Sequence, residues 1–284
     1  MAPDESAWQA AYQGAGRAGI SIRSLSRRED VDGVLAVIEA VWGAEVMPPA
    51  LLRAFQQAGS CLYGAEAGDE LVGFVLGFLG TAGGPHVHSH MLAVLPGWRR
   101  RGAGYALKLA QRAAALDEGI EEIRWTYDPL LAANARFNLN RLRAVATAYF
   151  PDFYGDMPDK LNRGDRSDRF EVTWWLRSRQ VEEALQGRGL VVPAVLYPSL
   201  LDAEGPPDAP RPKETGVPVN GPVTVQIPAD YQRLRQQNPA LAEEWRQSSG
   251  RVFAECFEQG LEAELILQGR YWFSPKVPRP TYPR

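Results

Sequence analysis

Apolar and polar residues alternate through ISIRSLSR (20–27), the period of two expected of a half-buried strand. The period then changes. In REDVDGVLAVIEAVWG the residues Val34, Val37, Ile38 and Val41 recur at helical spacing, and Gly43 supplies a stop. PPALLRAFQQAG opens on proline and closes on glycine, the punctuation of a second, short helix. CLYGAEA and ELVGFVLGFLG flank the turn residues Gly68 and Asp69 and predict a hairpin. HVHSHMLAVL predicts a strand. GAGYALKLAQRAAALDEG predicts a helix, with Leu107, Ala110, Ala114 and Leu116 as its inner face. IEEIRWTYD reads as a strand, LLAANARFNLNRLRAVA as a helix and FEVTWWL (170–176) as a late strand. Strands and helices in this order predict an α/β (α+β) fold with a mixed sheet.

EGPPDAPRPKETGVPVNGP (204–222) is rich in proline, glycine and charge and predicts a long exposed loop. Beyond it VTVQIP predicts a strand and YQRLRQQNPALAEEWRQSSGRVFAECFEQG a helix broken near Asn238-Pro239. LEAELILQ and GRYWFS predict two closing strands, as a small second domain or as an addition to the first sheet. The expected segments are an N-terminal extension (1–19), a main domain (20–180), a connector (181–222) and a C-terminal α/β extension (223–284).

Composition narrows the function. The chain has 284 residues, 45% of them hydrophobic, enough for a sizeable core. A net charge of −3 gives no reason to expect a nucleic-acid or membrane partner. The opening MAPDESAWQAAYQ lacks the basic and apolar regions of a secretory signal, and Cys61 and Cys256 lie too far apart in sequence to suggest a disulfide framework. A cytoplasmic location is the expectation.

The chemistry concentrates in GPHVHSHMLAVLPGWRRRGAGYALKLAQRAA (84–114). A strand enters a glycine-rich turn that opens a helix. Gly102 and Gly104 let backbone approach a ligand, the first helical N–H groups point outward, and Arg99, Arg100 and Arg101 add positive potential. That combination suits a pyrophosphate. The turn is not a P-loop, since no Gly-Lys-Ser/Thr follows, and Leu107 stands where a dinucleotide fingerprint needs glycine. All three histidines of the chain, His86, His88 and His90, precede it. At i, i+2 and i+4 they could hold zinc, but no Asp, Glu or Cys of the segment completes a tetrahedron. Strand alternation places His90 on one face with Leu92 and Val94.

Arg99-Arg100-Arg101-Gly102-Ala103-Gly104, between the strand ending LAVLPGW and an amphipathic helix, resembles the Arg/Gln-x-x-Gly-x-Gly/Ala motif of the GNAT (GCN5-related N-acetyltransferase) superfamily. The element order over residues 20 to 176 resembles it as well. SHMLAV (89–94), WTYDPL (125–130) and DFYGDMPDKLNRGDRSDRFEVTW (152–174) are similar to a branch with long C-terminal extensions, some of whose members acylate amino acids, succinyl being one acyl group. The resemblance implies a mostly antiparallel sheet flanked by helices, and an acetyl-CoA or other acyl-CoA co-substrate with no metal. It implies transfer of an acetyl or succinyl group to the amine of a small molecule, an amino acid being expected; a homodimer is left open.

The same resemblance implies that the strands holding HMLAVL and IRWTYD splay apart and receive the pantetheine arm. Leu92, Ala93 and Val94 would then bind by main chain, residues 99 to 104 would hold the pyrophosphate, and Asn134 would contact cofactor or water. A backbone N–H near Leu92 or Ala93 would serve as oxyanion donor. His90 would lie nearest the thioester, as part of a base relay or as a lining residue. The tyrosine acid common in the superfamily is replaced by Asn138, which cannot donate a proton as an acid; Tyr127, Tyr149 and Tyr154 are substitutes. Asp128 reads as a helix cap or a substrate contact, and an arginine among Arg136, Arg141, Arg143, Arg163, Arg166 and Arg169 as a carboxylate clamp. Two other classes stay open: a GNAT-like module that binds coenzyme A without catalysis, and a metallohydrolase using the histidine run.

Overall fold

The computed structural model describes residues 3–43, 46–217 and 221–277. Residues 1–2, 44–45, 218–220 and 278–284, which fall in the expected N-terminal extension, main domain, connector and C-terminal extension, lie outside the described residues. The chain forms two compact units.

The first unit comprises residues up to Trp125 together with 156–165 and 174–185. Its strands β1 (Ser21–Ser24), β2 (Cys61–Ala67), β3 (Glu70–Gly80) and β4 (His86–Val94) pair antiparallel in that order. β5 (Glu122–Tyr127) begins in this unit and runs parallel to β4. Helices α2 (Asp30–Trp42) and α3 (Pro49–Gln57) cover one face, where Val34, Ile38, Leu52, Phe74, Leu76, Met91 and Ala93 are buried together.

Helices α1 (Glu5–Ala18) and α4 (Ala103–Asp117) cover the other face, with Ala15, Ile20, Val72, Val75, Ala106 and Leu107 in its core. α1 was not predicted; its residues stood as an extension. Asp4 caps it by accepting from the Ala7 N–H, and Gly19, at φ 70°, ends it. Its small residues Ala7, Ala11, Gly14, Ala15 and Ala18 are buried, and a Cβ at Gly14 would sit 3.4 Å from Leu109. With α1 on one side and the sheet on the other, α4 is buried over most of its surface, including Lys108, Gln111 and Arg112.

The second unit comprises residues 126–155, 166–173 and 186 onward. Its strands follow the order β7 (Arg169–Trp175), β6 (Val145–Phe150), β11 (Leu261–Leu267), β12 (Arg270–Pro275), β10 (Val223–Gln226), β8 (Ser199–Glu204) and β9 (Arg211–Glu214). All pair antiparallel except β8 with β10. α8 (Pro239–Glu258) buries Trp245, Val252 and Phe253. Phe253 and Phe170 pack edge to face with centroids 4.6 Å apart, within a cluster that includes Tyr271 and Phe273.

Three expectations change here. AVATAYF does not continue a helix: α5 (Ala132–Ala135) runs into a π-helical turn (Arg136–Arg141), Arg143 takes φ 60°, and Val145–Phe150 form β6. Alternating branched and aromatic residues favour the strand there. The 204–222 segment is not all loop, since Arg211–Glu214 pair with β8. Of the two arrangements left open for the closing strands, neither is met simply: they join β6 through Ala146 and Ala263, within the second unit. For that reason residues 126–155 and 166–173 cluster with the C-terminal residues rather than with 20–125.

Candidate active site

The β4–β5 ladder is two pairs long, Val87 with Ile123 and His88 with Arg124. Ser89 to Val94 have no register partner on β5. The strands part as expected, and an edge of backbone donors and acceptors is left for a ligand. Just past the last pair, β4 also carries a bulge. Leu76 pairs with Met91 and Gly77 with Ser89, so His90 is the extra residue.

The bulge overturns the simple alternation. Leu92 and Val94 pack on the α1/α4 face, whereas Met91 and Ala93 pack on the α2/α3 face. His90 does not share the face of Leu92 and Val94. Its ring lies 6.0 Å from that of Phe78, and Phe78 also packs against His88, at 5.2 Å, and stacks on Phe55 of α3, at 5.3 Å. His86 is buried, with Nδ1 2.9 Å from the Gly84 carbonyl oxygen. Desolvation lowers the pKa of His90, and lowers that of His88 to about 4 with help from neighbouring positive charge. Both rings are therefore held toward the neutral form, in which an imidazole can accept a proton. Among the described residues no three His, Cys, Asp or Glu side chains are placed to hold a metal ion.

After β4 a 3₁₀ turn (Pro96–Trp98) leads into the arginine run. Arg99 folds back, its Nε donating to the Val94 carbonyl at 3.1 Å, and so ties the turn to the strand end. Arg100 adopts φ 62°, which is strained for a residue with a β-carbon and typical of ligand-binding turns. The Arg101 guanidinium lies 5.1 Å from the Trp98 ring centroid. Gly102, at φ 101°, is the N-cap and brings no side-chain cap, so the first N–H groups of α4, beginning at Ala103 and Gly104, meet no capping side chain. With the helix dipole behind them and three exposed arginines around them, they form an anion cradle.

One residue that the sequence reading did not single out stands at the fork. Lys108 of α4 is 2% exposed; its Nζ donates to Ser89 Oγ at 3.0 Å and to Gln111 Oε1 at 2.8 Å, and lies 3.7 Å from the Trp125 ring centroid.

Tyr127, Asn134 and Asn138 belong to the second unit. Tyr127 is buried and its hydroxyl lies 3.1 Å from that of Tyr271, which itself donates to the Pro129 carbonyl at 2.7 Å. Tyr127 must therefore be the donor to Tyr271, and burial raises its pKa further. This commits its proton within the fold and argues against an acid role. Asn138 is buried in the π-helical turn, and Asn134 is exposed on α5. Tyr149 donates to Asp168 at 2.6 Å, while Tyr154 is exposed, its hydroxyl 3.2 Å from Thr126 Oγ1.

Asp128 accepts from the Leu130 N–H and, bidentately, from Arg246, both of those bonds being 2.8 Å; Arg246 is fully buried. Asp128 therefore closes a turn before α5, whose N-cap is Leu131, and forms a buried ion pair; it does not cap the helix. Arg166 is likewise bound bidentately, by Asp168 at 2.7 and 2.8 Å. Burial opposes the Asp168 charge, but the bonds from Arg166 and Tyr149 outweigh it and lower its pKa. Arg163 donates to the Pro158 carbonyl, Arg143 to that of Arg188 and Arg169 to that of Asp168. Arg136 and Arg141 are exposed.

Residues 29–138 match the acetyltransferase (GNAT) family. No curated protein matches the chain. Among solved structures, Naa50 of Arabidopsis thaliana, in complex with a bisubstrate analogue, is 17% identical over 55% of this chain and 97% of its own, with a TM-score of 0.46. The ribosomal-protein-S18-alanine N-acetyltransferase of Escherichia coli is 13% identical over 63% and 99%, with a TM-score of 0.46. Diaminobutyrate acetyltransferase of Paenibacillus lautus is 18% identical over 56% and 97%, with a TM-score of 0.44. The stretch that matches the acetyltransferase (GNAT) family, residues 29–138, contains both the fork and the glycine-arginine turn.

Proposed function

We propose that the chain transfers an acyl group, acetyl or succinyl, from coenzyme A to the amine of a small molecule that also carries a carboxylate, an amino acid being the expected class. The observation that carries the acyl-CoA part is the continuity of the free β4 edge with the uncapped start of α4. Residues present there fit the group. Amides and carbonyls of Leu92, Ala93 and Val94 suit the two amides of a pantetheine arm, and Arg99, Arg100, Arg101, Gly102, Ala103 and Gly104 suit a pyrophosphate. Bound there, acyl-CoA supplies the thioester whose carbon the amine attacks, with the thiol as leaving group.

The chain's own residues then have separate tasks. A bulge turns one strand N–H out of the ladder, and a backbone N–H near Leu92 or Ala93 is assigned to the thioester oxygen. His90, exposed at the bulge and with its pKa lowered by desolvation, is assigned the proton of the incoming ammonium, directly or through water.

The acceptor reading rests on the resemblance of WTYDPL and the 152–174 segment. Arg166 is already bound by Asp168, so it serves a carboxylate only by exchanging that partner. The test offers one acyl-CoA with a free amino acid, its amide and its decarboxylated amine, and follows thiol release. A preference of roughly ten- to a hundredfold for the acid is expected from one charge-assisted contact. Equal rates would refute the amino-acid reading and leave acyl transfer standing; coenzyme A binding without thiol release from any amine would instead mark a non-catalytic binding module.

A further inference from the structure

The apex of the β4–β5 fork holds a buried amine. Ser89 is the first β4 residue after the last β5 pair, and Trp125 the first β5 residue after it. Lys108 Nζ is hydrogen-bonded to one prong and lies over the ring of the other. It is a buried amine with two neutral partners, Ser89 and Gln111, and no carboxylate is paired with it among the described residues. Its surroundings are rich in donors. Gln111 Nε2 and Trp174 Nε1 are buried without a hydrogen-bond partner, Gln111 is 0% exposed, and the Trp174 ring centroid lies 5.7 Å from Nζ. The titratable groups coupled to Lys108 are Cys61, whose thiol burial pushes up to about 12, and His88, pushed down to about 4. Both are neutral at pH 7, so neither offsets a cation. A buried ammonium without a counterion beside an unused amide N–H is costly, and a carboxylate would answer both.

The proposed co-substrate orientation says where such a carboxylate comes from. With the pyrophosphate at the C-terminal end of β4, an arm laid along the free edge runs back toward Ser89. Its far end, the acyl group, is aimed at the apex. Resting on the acyl-CoA reading, we infer that Lys108, with Gln111, selects an acyl group that ends in a carboxylate, the half-thioester of a short dicarboxylic acid, over neutral acyl groups of the same length. Acyl selection would then reside in α4 and not in the arginines around the turn.

Calorimetry with two probes tests this without knowledge of the acceptor. Succinyl-CoA and butyryl-CoA have acyl chains of similar length and differ in the terminal charge. The wild-type protein should bind succinyl-CoA about ten- to a hundredfold more tightly, the range for one charge-assisted contact. Burial lowers the Lys108 pKa to about 7, so pairing it with a carboxylate should take up about half a proton near pH 7. That uptake is read from the dependence of heat on buffer ionisation and needs no variant. Butyryl-CoA should take up none. Lys108→Met should lose the preference and retain butyryl-CoA affinity. Equal affinities in the wild type, or a preference that survives in Lys108→Met, would overturn the inference while coenzyme A binding upholds the acyl-CoA reading. Failure of both esters and of free coenzyme A to bind would overturn both.

Discussion

Replacing Lys108 with methionine should make the protein more stable at neutral pH, and the gain should shrink as pH rises. The side chains are similar in length, so the change chiefly removes a charge from an apolar interior. A free lysine titrates near 10.4; desolvation among Trp125, Trp174 and Ser89 lowers Lys108 to about 7. The unfolded chain therefore binds more protons at this residue than the folded one between about pH 7 and 10, and the wild type gains stability as pH rises through that window. At 1.36 kcal/mol per pKa unit, the gain attributable to Lys108 between pH 7 and pH 9 is about 2 kcal/mol. Urea denaturation of both proteins at the two pH values isolates it, because every other titrating group is common to both. With a urea m-value of about 2 kcal/mol/M, the midpoint difference between wild type and Lys108→Met should change by about 1 M. A difference that stays constant with pH would refute the reasoning and show that Lys108 keeps an ordinary lysine pKa.

Other outcomes follow from the same geometry. Gly104→Trp should abolish coenzyme A binding by calorimetry with little change in Tm: the backbone there is ordinary helix and a β-carbon meets only Val94 and Leu92, at 3.7 and 3.9 Å; unchanged affinity would count against the turn as the pyrophosphate site. His90→Ala should lower kcat more than it lowers Tm, whereas His86→Ala, which removes a buried ring bonded at Gly84, should do the reverse; equal effects on kcat would remove His90 from the mechanism. Asp128→Ala removes the bidentate partner of the buried Arg246 guanidinium and should cost about 3–5 kcal/mol in chemical denaturation; a loss under 1 kcal/mol would refute the weight given to this ion pair. Dialysis against a chelator should leave turnover unchanged, and activity that vanishes and returns with zinc would overturn the assignment of the histidines.

Local pattern was enough to place α2, α3, β2 to β5, α4 and the glycine turn, because each depends on periodicity and punctuation within a dozen residues. The anion cradle was legible for the same reason: its glycines, arginines and helix start are contiguous in sequence. The tyrosine missing at Asn138 could likewise be read directly. What sequence could not supply depends on partners distant along the chain. The bulge that turns His90 away from the face of Leu92 arises from the register of β4 on β3, and no alternation rule within β4 contains it. The start of β6, Val145 and Ala146, reads as a helix end because its partners, Thr173 on one side and Ala263 on the other, lie far downstream. Asp128 and Arg166 looked available for substrate until Arg246, 118 residues from Asp128, and Asp168 proved to hold them. Lys108 lies between Leu107 and Leu109 and looks from sequence like a solvated helix position. Only when α4 packs on the strands that carry Ser89, Trp125 and Trp174 does that position lose its solvent. Burial is a property of which surfaces meet, and the sequence states it only where the period of one element is enough to say which side faces in.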